Sequence, residues 1–293
     1  MTALLPVSPD IVIWTPDVER RLKVGLALGG GAVKGLAHVT VLDTLVRAGI
    51  PIDCVAGTSV GSLIGALFCG GLPTSRLIEF AQWVGWRHLS TPTWPWRGLV
   101  SFSRLERFLI ATLGDIQFSE LTVPFAAIAT DMEKGARVAL QTGRVASAVR
   151  ASCSVPGIVE PIRLEGRLLA DGGITDNLPA DAARALGADF VIGVNVLGMA
   201  PTPRKRLDPL WHAMAAAETM VRNAGGGVSS VDCLVSPATE GLSYSDFTDR
   251  QRLLDVGREA AVAKLSEIEQ ALANRQASKS ASRPTPWPSV AIS

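Results

Sequence analysis

The sequence predicts an α/β protein built on a mixed, mainly parallel sheet with helices on both faces. Short apolar runs alternate along the 293 residues with stretches of helical periodicity, and glycine-rich turns separate them. This alternation favours strands joined by helices that cover both faces of the sheet. The predicted strands are Val24–Leu28, 52–56, 125–129, Ala136–Leu140, 168–170, 190–196 and 231–235.

The first predicted strand runs into three consecutive glycines. They are Gly29, Gly30 and Gly31, and a helix is predicted to follow over residues 34–48. Glycine lets a ligand approach the backbone closely, and free N–H groups at a helix N-terminus bind anions. The loop is therefore a candidate site for a phosphate or for a transition-state oxyanion.

The spacing of this loop excludes two phosphate-binding motifs. A P-loop that starts at Gly30 requires a lysine directly after Gly35, where the chain has Leu36. A dinucleotide fingerprint that starts at Gly29 requires a glycine where the chain has Lys34. An oxyanion hole remains, beside the alternative of a tight strand-to-helix turn without chemistry.

A second glycine turn carries a serine between a predicted strand and a predicted helix. The segment reads Gly57-Thr58-Ser59-Val60-Gly61. Such an elbow holds the serine hydroxyl out at the end of a sheet, where a helix N-terminus favours negative charge. Ser59 is therefore a candidate nucleophile, although a glycine-rich turn without chemistry has the same pattern.

The third glycine turn follows the short predicted strand 168–170. Asp171 leaves this strand and is followed by Gly172 and Gly173. An aspartate in this position is often only the cap of an Asx-turn. It is equally a candidate for the carboxylate that activates Ser59.

Together the three segments resemble the patatin-like phospholipase family, over about residues 22–200. The triple-glycine loop with Lys34 and Gly35 resembles the oxyanion loop of the family, the serine turn resembles its nucleophile elbow, and Asp171 with its two glycines resembles its Asp-Gly-Gly box. Segments 150–157, 176–179 and 187–189 also match the family. Ala32 departs from the strict pattern, which has glycine there, and alanine disfavours a positive φ.

This resemblance implies a three-layer α/β/α sandwich that hydrolyses phospholipids or other fatty-acyl esters, as a phospholipase A or lysophospholipase. It also implies an acyl-enzyme mechanism with a serine–aspartate dyad, in which Asp171 is the general base for Ser59, and neither a metal nor a cofactor. The implied oxyanion donors are Gly29, Gly30, Gly31 and Ala32. The implied supporting residues are Lys34, Gly35, Gly57, Gly61, Gly172 and Gly173.

The three histidines agree with a dyad. His38 falls inside the helix after the glycine loop, and His88 falls in a segment rich in tryptophan and proline. His212 follows the serine and the aspartate in the order of an α/β-hydrolase triad, but its surroundings predict the interior of an alanine-rich helix. Two alternatives stay open: an esterase that uses His212, and a catalytically weak lipid-binding or regulatory protein on the same fold.

Four of the seven tryptophans fall within a short segment, at Trp83, Trp86, Trp94 and Trp96. Tryptophan favours the membrane interface, and neighbouring arginines suit anionic headgroups. Residues 86–101 also hold prolines and a glycine, which predicts a loop or lid. The tryptophans are therefore candidates for peripheral membrane contact, with the alternative that they pack on the core or shape an acyl pocket.

Charge and composition argue against a nucleic-acid-binding, metal-binding, disulfide-bonded or membrane-spanning protein. The net charge of +1 gives no basic field for nucleic acid. The four cysteines lack metal-ligand spacing and predict buried reduced thiols. Residues 54–75 carry no charge but contain several glycines, which predicts a buried strand and helix. No targeting signal is evident, so a cytoplasmic protein, peripheral to the inner membrane face, is expected.

The predicted organisation is an N-terminal extension over residues 1–21, one catalytic domain over residues 22–274 and a disordered tail over residues 275–293. The tail is rich in serine and proline, and the domain is predicted to end in a helix over residues 246–274. Ser103 and Glu106 match a capping box, which predicts a helix start at Ser103.

Overall fold

The computed structural model describes residues 21–94, 98–198 and 218–281. The strands are β1 (Val24–Leu28), β2 (Cys54–Thr58), β3 (Thr91–Pro92), β4 (Val100–Ser101), β5 (Phe125–Asp131), β6 (Ala136–Leu140), β7 (Ile162–Leu164), β8 (Arg167–Asp171), β9 (Phe190–Val194) and β10 (Cys233–Val235). The α-helices are α1 (Ala37–Arg47), α2 (Val60–Cys69), α3 (Thr74–Trp83), α4 (Trp86–Leu89), α5 (Ser103–Leu113), α6 (Val145–Ser152), α7 (Ala180–Ala185) and α8 (Arg250–Ala281). Short 3-10 helices cover Ala32–Leu36, Phe118–Glu120, Gly172–Ile174 and Gly227–Ser230, and residues 218–222 are also helical.

The central sheet has eight strands in the order β10-β9-β1-β2-β5-β8-β7, and β6 pairs with β5. The five strands from β10 to β5 are parallel, whereas β6, β7 and β8 pair in antiparallel fashion. The prediction of a mixed, mainly parallel sheet is therefore confirmed. All seven predicted strands are present, while β7 and the two-stranded hairpin β3–β4 were not predicted.

The register of β5 brings two other strands to one point. Ile128 pairs with Thr58 at the end of β2, and the next residue, Ala129, pairs with Asp171 at the end of β8. The residue after Thr58 is Ser59, so the ladder alone places the predicted serine next to the predicted aspartate.

Helices cover both faces of the sheet, which makes three layers. On one face Val24, Leu26 and Leu28 of β1 join the main core with α1, α2, α5 and α8. On the other face Ala27 of β1 joins a smaller cluster of mostly small side chains with α7. Alternate residues of a strand point to opposite faces, so both faces of β1 are buried, as its apolar run predicts.

Glycines allow β2 and α2 to pack closely around the serine turn. A β-carbon at Gly57 would lie 2.5 Å from the carbonyl oxygen of Gly61, and one at Gly61 would lie 2.2 Å from the carbonyl oxygen of Leu28. The uncharged stretch 54–75 thus forms a buried strand and a buried helix, as predicted. Within the described ranges no helix has the length and apolar character to span a bilayer.

The four cysteines are buried and carry free thiols, as predicted. Burial raises the pKa of Cys54 to about 11, and burial also raises the pKa of Cys69. These groups are therefore neutral at physiological pH and behave as small apolar side chains.

Several predicted boundaries differ from the structure. The helix predicted over 34–48 starts as a 3-10 helix at Ala32 and becomes α1 at Ala37. Helix α5 begins at Ser103, but Phe102 is its N-cap. Glu106 bonds instead to Ser147 and Arg150, so the predicted capping box is wrong.

The last helix extends beyond Asn274 to Ala281, and the start of the predicted tail is therefore helical. Gln276 accepts a hydrogen bond from the N–H of Leu22 at 2.9 Å, and Lys279 pairs with Asp189. These contacts hold the end of α8 against the domain. Residues 1–20 and 282–293, which fall in the predicted extension and tail, lie outside the described residues.

The tight contact at Gly61 predicts the effect of Gly61→Ala. Alanine within a helix normally stabilises by up to about 1 kcal/mol relative to glycine. Here we expect a loss of about 3 kcal/mol in the free energy of unfolding, because the atom that a β-carbon would meet belongs to the backbone. Urea denaturation measures the change.

Gly85→Ala is the matched control. A β-carbon at Gly85 would meet only Nδ1 of His88, at 3.8 Å. We expect this variant to stay within about 0.5 kcal/mol of the wild type. Equal stabilities of the two variants would contradict the packing described for α2.

Candidate active site

Ser59 occupies a strained turn between β2 and α2. Its φ is 54° and its ψ is −125°, a conformation that non-glycine residues rarely adopt and that clusters at functional sites. Its carbonyl oxygen accepts hydrogen bonds from the N–H groups of Ser62 and Leu63, at 2.8 and 3.1 Å. The side chain is half-buried. Because Ser59 is the N-cap of α2, it lies at the positive end of the helix dipole.

Ser152 at the end of α6 holds this turn in place. The N–H of Ser59 donates to Oγ of Ser152 at 2.9 Å, and the Ser152 hydroxyl donates to the carbonyl oxygen of Ile128 at 2.5 Å. Ser152 is fully buried. It lies in segment 150–157, which carried the family resemblance, but sequence reasoning gave it no role because its partners are distant in the chain.

Asp171 is anchored by its backbone and by one carboxylate oxygen. Its N–H donates to the carbonyl oxygen of Ser154 at 2.8 Å, and its carbonyl oxygen accepts from the Thr130 hydroxyl at 2.9 Å. Oδ1 accepts from the N–H of Gly173 at 2.8 Å, which is the predicted Asx cap. Oδ2 is buried and has no hydrogen-bond partner among the residues that the structure describes.

The electrostatic environment of Asp171 suits a base. Burial raises the pKa of its carboxyl to about 6, while the Ser59 hydroxyl and the Gly173 N–H act in the opposite direction by favouring the charged form. The Ser59 hydroxyl thus lies close enough to the carboxylate to favour its charged form, although no hydrogen bond to Oδ2 is formed among the described residues. Catalytic hydrogen bonds are commonly long before substrate binds. The structure therefore brings the predicted serine and aspartate together.

The glycine loop offers fewer free donors than predicted. The N–H of Gly29 donates to the carbonyl oxygen of Val194 at 3.0 Å, and that of Gly30 donates to the carbonyl oxygen of Asn177 at 3.2 Å. Both N–H groups are engaged in these backbone hydrogen bonds, which favours Gly31 and Ala32 over Gly29 and Gly30 among the predicted oxyanion donors.

The N–H groups of Gly31 and Ala32 remain as candidate donors. Across the described residues no acceptor is bonded to either of them. Ala32 adopts a φ of +48°, the strained conformation expected where the family has glycine.

Close packing holds the loop against the serine turn. A β-carbon at Gly35 would lie 2.1 Å from a methyl group of Val60, and Lys34 is fully buried. On the aspartate side, a β-carbon at Gly172 would lie 2.3 Å from the carbonyl oxygen of Ile128. The supporting residues predicted from the resemblance therefore pack around the dyad.

His38 fixes the loop and has no contact with the dyad. Its Nε2 donates to the carbonyl oxygen of Gly29 at 2.7 Å, and burial lowers its pKa to about 4, so the ring is neutral. His88 lies on α4, where its ring packs against Trp83 and its Nε2 accepts from Arg87. His212, the alternative catalytic residue, lies outside the described residues.

An apolar pocket opens beside Ser59. Its cavity volume is about 70 Å³, and Leu63, Phe80, Phe102 and Phe247 are among its lining residues. Trp86 is also a lining residue, and its indole N–H donates to the carbonyl oxygen of Ser245 at 2.7 Å. The pocket thus places an apolar surface directly beside the serine.

Trp86 lines this pocket, and further exposed apolar side chains lie on the neighbouring segments of the chain. Trp83 packs on Phe80, and both Trp83 and Trp86 are partly exposed. Trp94 is 71% exposed, Leu99 is 66% exposed, and the N–H of Leu99 donates to the carbonyl oxygen of Ile158. We call Trp83, Trp86, Trp94, Leu99 and Ile158 the apolar rim. Trp96 lies outside the described residues, while part of segment 86–101, predicted as a loop, forms α4 and the hairpin β3–β4.

Comparison with known sequences agrees with this geometry. The model of the family described as patatin-like phospholipase matches residues 26–184. The chain is 35% identical over 195 residues to an uncharacterized NTE family protein of Mycobacterium tuberculosis, which covers 64% of this chain and 52% of that protein. It is 38% identical over 179 residues to Lysophospholipase nte1 of Aspergillus fumigatus, which covers 59% of this chain and 12% of that protein. The chain thus spans about half the length of the mycobacterial relative and a small part of the fungal one.

Comparison with solved structures shows the same fold. VipD from Legionella pneumophila superposes with a TM-score of 0.58 at 13% identity, over 87% of this chain and 67% of that chain. The shared architecture is the mixed sheet between two helical layers.

The buried carboxylate predicts the effect of Asp171→Asn on stability. Because burial raises its pKa to about 6, the folded protein binds this proton more tightly than the unfolded chain does, and the contribution of Asp171 to stability falls as pH rises from about 4 through 6. At pH 8 we expect Asp171→Asn to be more stable than the wild type by up to about 3 kcal/mol, with little difference at pH 4.

Urea denaturation at the two pH values measures this difference. Asp181→Asn is the control, because Asp181 is exposed on α7 and its substitution should shift stability by less than about 0.5 kcal/mol at either pH. A loss of stability at pH 8 in Asp171→Asn would refute the raised pKa.

Proposed function

Because this chain belongs to the patatin-like phospholipase family, we propose that it hydrolyses fatty-acyl esters of lipids through a Ser59–Asp171 dyad. The observation that carries the proposal is the position of Ser59. Its strained turn places the residue beside a buried carboxylate and in the lining of an apolar pocket.

Acylation begins when Asp171 accepts the proton of the Ser59 hydroxyl as general base. The serine oxygen attacks the ester carbonyl carbon, and the oxyanion that forms is stabilised by the N–H groups of Gly31 and Ala32. Collapse of this intermediate releases the alcohol, which takes the proton from Asp171, and leaves the acyl group on Ser59. Burial supports this role of Asp171, because its raised pKa of about 6 makes it a stronger base than an exposed aspartate.

Deacylation repeats the same proton transfers with water. Asp171 removes a proton from the water as its oxygen attacks the acyl carbon, and returns that proton to the oxygen of Ser59 as the fatty acid leaves. One carboxylate serves both steps, so no histidine is required.

The apolar pocket supports a single acyl chain as the part of the substrate that is recognised. Most of its lining residues are aliphatic or aromatic, Leu63 and Phe247 among them. The affinity of an apolar pocket for an alkyl chain rises with each methylene group that is removed from water. The relatives named lysophospholipases support a lysophospholipid or phospholipid as the source of that chain.

The apolar rim supports contact with a lipid surface beside the pocket. Exposed aromatic side chains favour the interfacial region of a bilayer, and the exposed cation Arg87 follows Trp86 directly on α4, with the exposed Arg104 beside it. Arg104 donates to the carbonyl oxygen of Arg87, which keeps these two cations on one surface. Docking in this way would bring the pocket opening to the lipid from which the substrate comes.

Labelling with a serine-reactive fluorophosphonate tests the dyad. Intact-mass analysis should show one adduct on the wild type and on His212→Ala, and none on Ser59→Ala. The labelling rate should rise with pH around a midpoint near 6, because Asp171 must be ionised to act as a base. Asp171→Asn should label at least about a hundredfold more slowly, a typical loss when a general base is removed.

Two outcomes separate the alternatives. Loss of labelling in His212→Ala, with wild-type thermal stability, would favour an esterase triad over the dyad. A folded wild type that neither labels nor hydrolyses lysophospholipid would favour a lipid-binding protein without turnover.

Sedimentation with phosphatidylcholine–phosphatidylglycerol vesicles tests the rim. The double variant Trp94→Ala, Leu99→Ala removes exposed apolar area outside the pocket lining, so we expect about tenfold weaker vesicle binding and an unchanged rate on a soluble short-chain ester. Val262→Ala on α8, also exposed, is the control. Equal binding by all three proteins would contradict membrane contact through the rim.

A further inference from the structure

Asn177 carries a buried polar atom that the steps above do not use. The residue is 5% exposed, and no described residue forms a hydrogen bond to its Oδ1. Leaving such an atom unsatisfied is destabilising, and native structures contain few of these atoms. Its retention beside a reactive site therefore requires an explanation.

Two glycines show where this atom lies. A β-carbon at Gly30 would be 2.7 Å from Oδ1 of Asn177 and 3.3 Å from Cβ of Ser59. A β-carbon at Gly173 would be 3.4 Å from Oδ1 of Asn177 and 3.1 Å from Oδ1 of Asp171. The amide oxygen thus neighbours both members of the dyad, with the two glycines packed closely against it.

The dyad region therefore contains two buried acceptors without described partners, Oδ2 of Asp171 and Oδ1 of Asn177. A water molecule has two O–H groups and can donate one to each acceptor. Held in this way, its oxygen lone pairs are directed away from both acceptors and are free to attack. The ester alcohol released during acylation has no such requirement for a second acceptor.

We propose that Asn177 positions the water that hydrolyses the acyl-enzyme. The water donates one hydrogen to Oδ1 of Asn177 and gives the other, as a proton, to Asp171 while its oxygen bonds to the acyl carbon. The bond between that carbon and the Ser59 oxygen then breaks, Asp171 returns its proton to Ser59, and the fatty acid leaves. Asn177 is a positioning residue, and this inference rests on the proposed acyl-enzyme function.

A second pocket supplies a polar approach to Asn177. It is lined by Asn177, Asn195, Arg222 and Asn223 among others, and it shares no described lining residue with the apolar pocket. A polar pocket therefore adjoins Asn177 on a side separate from the apolar pocket proposed for the acyl chain.

The backbone contacts of Asn177 separate its side-chain role from a structural one. Its carbonyl oxygen accepts from the N–H of Gly30, and its own N–H donates to the carbonyl oxygen of Ala224. A side-chain substitution retains both bonds. Asn177→Leu removes the amide at nearly constant size, and Asn177→Ala removes it while leaving space for an additional water.

Pre-steady-state hydrolysis of p-nitrophenyl butyrate distinguishes the two steps. We expect Asn177→Leu to acylate within about threefold of the wild-type rate and to deacylate about tenfold more slowly, as for loss of one hydrogen bond. The butyryl adduct should then accumulate in intact-mass spectra. Asn177→Ala should recover part of the deacylation rate, because a second water can replace the amide oxygen.

The acyl-enzyme can react with water or with added methanol, and the ratio of the two products can be measured. A general structural defect would leave this ratio unchanged. Methanol has one O–H group and needs only Asp171, so the ratio of methyl butyrate to butyrate should rise about fivefold or more in Asn177→Leu. Asn223→Leu, the same substitution at an exposed position of the polar pocket, should keep the wild-type ratio.

The outcomes that overturn the inference are distinct. Equal slowing of acylation and deacylation, with an unchanged methanol ratio in both Asn177 variants, would assign Asn177 to oxyanion binding or to folding and would leave the dyad intact. Undiminished hydrolysis by Ser59→Ala would overturn the proposed function and this inference together.

Discussion

The pairing of β5 with two strands at once is the constraint on which the site depends. Because Ile128 pairs with Thr58 and Ala129 pairs with Asp171, the ends of β2 and β8 meet at consecutive residues of a third strand. A slip of one residue in either pairing would turn side chains to the opposite face of the sheet. The carbonyl oxygen of Ile128 also receives the Ser152 hydroxyl, so one peptide of β5 fixes both the position of the serine turn and its support.

Several features around the dyad lower the stability of the folded protein. Ser59 and Ala32 both have positive φ, the carboxylate of Asp171 is buried without a cation among its pKa determinants, and Oδ1 of Asn177 has no described partner. Each of these features costs of order 1–3 kcal/mol. The main core around α1, α2 and α8 compensates for them, which is typical of sites held in a reactive geometry.

Local sequence predicted most of the fold and the two principal site residues. Apolar runs located β1 and β6 to the residue, and the two glycine turns identified Ser59 and Asp171, because these features depend on neighbouring residues. The oxyanion donors depend on long-range contacts: the N–H of Gly29 is engaged because β1 lies beside β9. Glu106 likewise contacts α6 instead of capping its own helix, and Trp86 turns out to line the apolar pocket. Tertiary packing decides such roles, and a local pattern does not contain it.

The contact between Leu22 and Gln276 has a consequence for how this domain is used within polypeptides. The N–H of Leu22 and Oε1 of Gln276 are 2.9 Å apart, so the residues just before β1 lie beside the last turns of α8. A domain with adjacent ends can be inserted into a loop of a host protein without separating the host's flanking segments. The contact is therefore compatible with insertion of this domain between segments of a longer polypeptide.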